Sequence, residues 1–182
     1  MNSNLTHGQF LAELKDSFNK IPEAKITELI RLVRSKIEIN ARIYIFGNGG
    51  SSAFSSHVMI DYMKVMGAKV ISASDAAYLT CFANDFGYEE VYRKFLEYNV
   101  DKKDFVILIS SSGNSKNIVN AASYCVEHKI DFVTLSGFDE SNRLNQFSTL
   151  SFHVDSKNYN VVELTHETIL LCVVEDFIRS IK

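Results

Sequence analysis

Apolar residues recur at helical spacing in the N-terminal part of the chain and then give way to short continuous runs. Phe10, Leu11, Leu14, Phe18 and Ile21 share one helical face, which predicts a helix over residues 5–20. Pro22 interrupts the pattern, and Ile26, Leu29, Ile30, Val33 and Ile37 resume it as a second amphipathic helix. Short runs rich in β-branched and aromatic residues follow at Arg42–Phe46, Lys69–Ala73, Phe105–Ile109, Asp131–Ser136 and Leu150–Val154, and these read as buried strands. Helical patterns lie between them: Ser52–Met66, a stretch opening at Asp75–Thr80, Tyr88–Tyr98, Asn117 through Val126, and a short helix over Asn142–Phe147. Asn84-Asp85-Phe86-Gly87 reads as a turn that breaks one of these helices. Asn160–Ile181 is a long final helix with Leu164, Leu171, Val174, Phe177, Ile178 and Ile181 facing a core. Strands alternating with helices predict an α/β fold, a three-layer α/β/α sandwich around a central parallel sheet. One domain spans residues 1–182, with 1–40 supplying helices for packing or oligomerisation and 41–182 forming the α/β core.

Two strand-to-helix junctions carry unusual chemistry. Ser110-Ser111-Ser112-Gly113-Asn114-Ser115 puts four hydroxyls and a glycine where the first N–H groups of a helix lack partners. Orphan amides, the positive end of a helix dipole and short hydroxyl donors suit a phosphate. An ordinary loop with a serine N-cap uses the same residues. The second junction, Gly47-Asn48-Gly49-Gly50-Ser51-Ser52, shifts the balance between these readings toward a phosphate cradle. It lacks the Gly-Lys-Ser/Thr of a nucleotide-phosphate loop and does not fit G-x-G-x-x-G, so no nucleotide cofactor is expected. Two such loops at the carboxyl ends of strands predict one ligand site between them.

Titratable pairs stand on two of the helices. His57 and Asp61 are four apart and share a face, close to the glycine-rich loop. Glu163 and His166 are three apart near the start of the last helix, and such a pair can act as an acid and base or as two metal ligands. Equally, Glu163 and Glu167 can simply complement that helix's positive end, with His166 exposed. His128 and His153 stand alone and read as structural or solvated.

Composition narrows the class of molecule. The 182 residues are 46% hydrophobic and 23% charged, with a net charge of -3 and no basic cluster, so neither disorder nor nucleic-acid binding is expected. No apolar run reaches membrane-spanning length, and Met1-Asn2-Ser3-Asn4 lacks the charged-then-apolar start of a signal, so no membrane association is expected. Cys81, Cys125 and Cys172 lie in apolar patterns without metal-type spacing, which predicts buried free thiols and a cytoplasmic setting.

Gly47-Asn48-Gly49-Gly50-Ser51, Asn84-Asp85-Phe86-Gly87-Tyr88 and Ser110-Ser111-Ser112-Gly113-Asn114-Ser115 together resemble the signatures of sugar isomerase (SIS) domains. The closest branch is that of phosphoheptose isomerases, which convert sedoheptulose 7-phosphate to the heptose aldose phosphate. Order and spacing fit from Ile43 to Lys182, and two helices precede them as in that family. The resemblance implies an aldose–ketose isomerase that moves a proton through an enediol, assembled as a homotetramer or dimer. It implies that Asn48, Gly49, Ser51, Ser110, Ser111, Ser112 and Ser115 hold the phosphosugar, with Asn84 and Asp85 beside it. The family's base is a Glu one turn after a His on the first core helix, and the matching positions here are His57 and Asp61. Its final helix carries a Gln and, eight residues later, a His; this chain does not reproduce that pair in register, with Leu170 near the place of the His and His166 a turn earlier. Asp61, His166 and Glu163 are the catalytic residues this implies. Some members bind zinc through four such groups, and His57, Asp61, Glu163 and His166 are the nearest set. The same family includes regulators, among them a replication-initiator-binding protein. The alternative is therefore a non-catalytic module that binds a phosphosugar or a protein partner.

Overall fold

The computed structural model describes residues 5–73, 75–147 and 150–181. Met1–Asn4, read above for a signal, and the side chain of Ile181, placed above on the core side of the last helix, lie outside the described residues. The elements in chain order are α1 (His7–Asn19), α2 (Glu23–Glu38), β1 (Arg42–Phe46), α3 (Gly50–Met66), β2 (Lys69–Ser72), α4 (Ala76–Phe86), α5 (Val91–Asn99), β3 (Phe105–Ser110), α6 (Lys116–His128), β4 (Asp131–Gly137), β5 (Ser151–Val154) and α7 (Tyr159–Ile181). The α/β sandwich with a parallel sheet is as expected.

Four local expectations need correction. Leu164, expected on the core side of α7, is exposed, because the buried stripe of that helix runs through Val162, His166, Leu170 and Val173. Cys81, expected to be buried, is exposed on α4. Asn84 and Asp85 lie in the last turn of α4, not in a turn between helices. The Asp75 side chain caps that helix by accepting from the N–H groups of Ala77 and Tyr78. Tyr78, Phe82 and Phe86 then pack ring against ring along one face, and the helix ends only at Gly87, with φ of 89°. The predicted short helix over Asn142–Phe147 is a single 3₁₀ turn, Leu144–Gln146. Asn142 competes for the backbone there, because its side chain accepts from Asn145 N–H and donates toward Gly137 O and Asp139 O.

The five strands are all parallel in the order β2-β1-β3-β4-β5. Alternate side chains of each strand enter different cores. Ile43 and Ile45 of β1 join Leu29, Val33, Val58, Tyr62 and Leu170 beneath α2, α3 and α7. Tyr44 and Phe46 join Tyr92, Leu96, Ile118 and Cys125 beneath α5 and α6. The chain goes from β1 to β2 on one side and returns to place β3 on the other. The helices that follow β1 and β3 therefore leave toward opposite faces, and a crevice opens where they part.

The opposite end of the sheet is closed by buried charge. Asp104 is fully buried and accepts from the backbone N–H of Arg42 (2.8 Å) and Asp101 (2.9 Å). Lys36, also buried, donates to Lys103 O (3.0 Å) and to Asp131 Oδ2 (2.7 Å). Replacing Asp104 by Ala leaves two part-buried backbone N–H groups without their acceptor. Urea unfolding of that variant is expected to show a loss of about 2–5 kcal/mol, with Asp104→Asn losing less; equal stability of Asp104→Ala and the parent would contradict this account.

Candidate active site

The glycine-rich loop turns sharply at Gly49, whose φ of 56° and ψ of -122° exclude residues with a Cβ. Ser51, buried, starts α3 with its N–H on Asn48 O at 3.1 Å. In the second loop the Ser110 hydroxyl donates to Ser115 Oγ (3.0 Å), Gly113 N–H to Ser110 O (2.9 Å) and Asn114 N–H to Ser112 Oγ (3.2 Å). Ser110 and Ser111 are buried, and Ser112 and Ser115 are half-buried. The two loops are stitched together by a reciprocal amide pair. Asn48 Nδ2 donates to Asn117 Oδ1 (3.0 Å) and Asn117 Nδ2 donates to Asn48 Oδ1 (2.9 Å). The Tyr88 hydroxyl adds a third bond at Asn48 Oδ1 (3.0 Å), and the Tyr92 hydroxyl donates to Gly47 O (2.6 Å). Asn48, Tyr88, Ser115, Lys116 and Asn117 line a depression of about 250 Å³ at this seam. Asn117 and Tyr92 were not singled out from the sequence, because a long-range amide pair or tyrosine contact leaves no local spacing.

Asn84 and Asp85 are exposed on α4, and their side-chain hydrogen bonds are to each other and to Cys81. Nothing in these bonds ties them to either loop.

Beside the glycine-rich loop, α3 and α7 form an open groove of about 560 Å³, lined by Phe10, Gly50, His57, Asn160, Glu163 and Glu167 among others. His57 spans two carboxylates there: its Nδ1 lies 2.7 Å from Glu167 Oε1 and its Nε2 3.3 Å from Asp61 Oδ2. The hydrogen bond that the ring makes to Glu167 is the largest effect and holds the imidazole above its ordinary pKa; burial opposes it, and the charges of Asp61 and Glu167 add smaller support. Glu163 lies directly over Gly50, and a methyl at that glycine would run into its carboxylate. Burial pushes the Glu163 carboxyl above its ordinary value.

His166 stands apart from these groups. It is fully buried and its Nε2 pairs with Ser136 O at 3.0 Å, while Nδ1 has no hydrogen-bond partner. The phase of the helix explains this. His166 falls on the buried stripe Val162, Leu170 and Val173, whereas Glu163 and Glu167, four apart, follow the groove edge. Burial takes the imidazole down to about 4. The expected set His57, Asp61, Glu163 and His166 is therefore not brought together. Among the described residues no group of three or more His, Cys, Asp or Glu is placed to hold a metal ion. The residues present do not fit the zinc site that the resemblance implied. Glu167, read from the sequence as a dipole complement, instead joins the site. Of the two solitary histidines, His128 stacks on Tyr124, and His153 is half-buried on β5.

The sequence matches the SIS domain family over residues 9–137. The chain belongs to that family. Among similar SIS proteins, the phosphoheptose isomerase of Helicobacter pylori (strain P12) is 31% identical over 175 residues, which cover 91% of this chain and 90% of that one. The solved phosphoheptose isomerase of Neisseria gonorrhoeae superposes with a TM-score of 0.85 at 22% identity, over 93% of this chain and 95% of that one. That of Francisella tularensis does so with a TM-score of 0.81 at 21% identity, over 92% and 91%. The SIS resemblance and its phosphoheptose isomerase branch, read from three short motifs, are borne out, and the SIS fold extends over nearly the whole chain.

The buried His166 is expected to make this SIS domain acid-sensitive. An unfolded imidazole titrates near 6.5, the folded one at about 4, so the unfolded chain takes up the proton first as pH falls. The stability this implies is complete above pH 6.5 and is lost between 6.5 and 4, a difference of roughly 3 kcal/mol. His166→Gln is expected to flatten the fall in urea-unfolding free energy across that window; an unchanged slope would show that other groups cause it.

Proposed function

We propose that this protein is a phosphosugar aldose–ketose isomerase of the phosphoheptose isomerase type, acting on sedoheptulose 7-phosphate or a similar ketose phosphate. The observation that carries this reading is the two-loop cradle at the sheet's crevice, locked by the Asn48–Asn117 amide pair. The chain's place in a family whose curated relatives include phosphoheptose isomerases supports the reaction type. Hydroxyls of Ser110, Ser112 and Ser115 and the N–H groups at the start of α6 suit a terminal phosphate.

Isomerisation then needs two kinds of proton transfer. One moves a proton between adjacent carbons, and the other moves hydroxyl protons as the enediol forms and collapses. The Asp61 carboxylate is the base for the carbon proton. His57 and Glu163 line the groove beside it, and either can exchange a hydroxyl proton. His166, sealed between α7 and β4, takes no part. Burial raises the pKa of the Glu163 carboxyl, which favours its protonated, donating form relative to an exposed carboxylate.

A homotetramer is part of the same proposal. Leu11 and Phe18 on α1, Ile60 and Met63 on α3, and Leu164 on α7 are large apolar side chains at least 36% exposed, on helices that pack against one another. A cytoplasmic setting fits the three cysteines, all of them unpaired. No helix among the described residues is long and apolar enough to cross a membrane.

Two measurements test these statements. Incubation with sedoheptulose 7-phosphate, followed by NMR, is expected to yield the aldose phosphate, with Asp61→Asn slower by about 10²–10⁴-fold. Absence of product from the parent protein would refute the isomerase reading, and full turnover by Asp61→Asn would remove Asp61 from the chemistry. Sedimentation velocity is expected to give a mass four times that of the 20.6 kDa chain; a monomer at micromolar concentration would refute the assembly.

A further inference from the structure

Glu167 is not needed to explain the fold. It is half-buried at the groove edge, and its short bond to His57 crosses from α7 to α3. The His57 ring is 54% exposed, with Glu167 on one nitrogen and Asp61 on the other. The contact to Asp61 is a same-helix pair at 3.3 Å, and the contact to Glu167 at 2.7 Å has the length of a charge-assisted hydrogen bond. An exposed ring held only by the longer contact would sample several rotamers. The shorter bond fixes both its orientation and the nitrogen that carries hydrogen. A carboxylate on Nδ1 keeps a proton there, so in the neutral ring the lone pair is on Nε2, beside Asp61 Oδ2.

We propose that Glu167 is a positioning residue of the isomerase site, pinning His57 so that Nε2 and Asp61 Oδ2 stand side by side as partners for the hydroxyl and carbon protons of one substrate carbon. The inference rests on the isomerase reading above and adds to it a division of labour. The two protons that leave a ketose at the start of isomerisation come from a C–H and from the O–H on the same carbon, so their acceptors must be neighbours. Asp61 takes the carbon proton and returns it to the adjacent carbon. The hydroxyl O–H bond breaks with its proton passing to Nε2, and that proton is delivered to the neighbouring carbonyl oxygen as it becomes a hydroxyl. At the end of the cycle His57 is unchanged. Glu167 keeps its bond to Nδ1–H throughout and neither gains nor loses a proton. Carboxylates that orient metal-bound imidazoles through the far nitrogen are worth roughly 10- to 100-fold in affinity or activity, and the same scale is expected for the His57–Glu167 pair.

Glu167→Ala and Glu167→Gln test this, with turnover of sedoheptulose 7-phosphate and the nitrogen-15 spectrum of His57 as separate readouts. Glu167→Ala is expected to lower kcat roughly 10- to 100-fold with KM within about twofold. Glu167→Gln, whose amide oxygen still accepts from Nδ1–H, is expected to keep most of the activity. At alkaline pH, where the ring is neutral, the hydrogen of His57 is expected on Nδ1 in the parent and in Glu167→Gln, and on Nε2 in Glu167→Ala. An unchanged kcat in Glu167→Ala, a rise in KM alone, or hydrogen retained on Nδ1 in that variant would overturn the proposal. If the parent protein fails to turn over the sugar while the hydrogen still moves between nitrogens, the isomerase reading falls and the pinning of the ring stands.

Discussion

The structure depends on one constraint of parallel sheets: β1 and β3 lie side by side although the chain visits β2 between them. A parallel crossover must be covered by a helix, and the two helices that leave this pair go to different sides. The strand ends are thus left open to solvent at one place only along that seam. The first turns of α3 and α6, with their positive dipole ends, meet at that seam. The Asn48–Asn117 amide pair then sets the spacing between the loops, with Tyr88 and Tyr92 holding Asn48 in place. Because Tyr92 belongs to the core beneath α5 and α6, the position of the first loop is referred to the rigid interior and not to the surface.

Much of this was readable in the residues. Runs such as Phe105–Ile109 have no alternation of polar and apolar positions, which is the mark of a strand covered on both faces. The hydroxyl- and glycine-rich loops needed only their place between a strand and a helix to be interpretable. What escaped were the features that depend on phase or distance in space. Spacing alone puts Glu163 beside both His166 and Glu167. Only the packing of Val162, Leu170 and Val173 decides that His166 turns inward and Glu167 turns toward α3. Asn84-Asp85-Phe86-Gly87 has the composition of a turn, yet an N-cap nine residues upstream and a ladder of aromatic rings carry the helix through it. Asn117 looked like any polar residue on the first turn of a helix, since its partner is 69 positions away.

The last helix serves two layers at once. Its inner stripe packs on the sheet, and the next stripe around its circumference meets α3 at the groove. His166 and Glu167 are adjacent in sequence but belong to these different layers. One is sealed from water in the core, and the other bonds an exposed ring at the groove edge. Rotation of α7 by even part of a turn would therefore disturb core and groove together, so the helix cannot adjust the site without a cost to folding.

The opening loop has a consequence for which related sequences can exist. Its three glycines answer three separate demands. At Gly47 a Cβ would stand 2.6 Å from Ser51 Cβ; at Gly49 the backbone itself forbids one; at Gly50 the space belongs to the Glu163 carboxylate. The first two demands arise inside the loop, but the third comes from a helix more than a hundred residues later in the chain. Gly50 is therefore linked to position 163: an alanine at the start of α3 needs the acid there to shorten or its carboxylate to turn away from the loop.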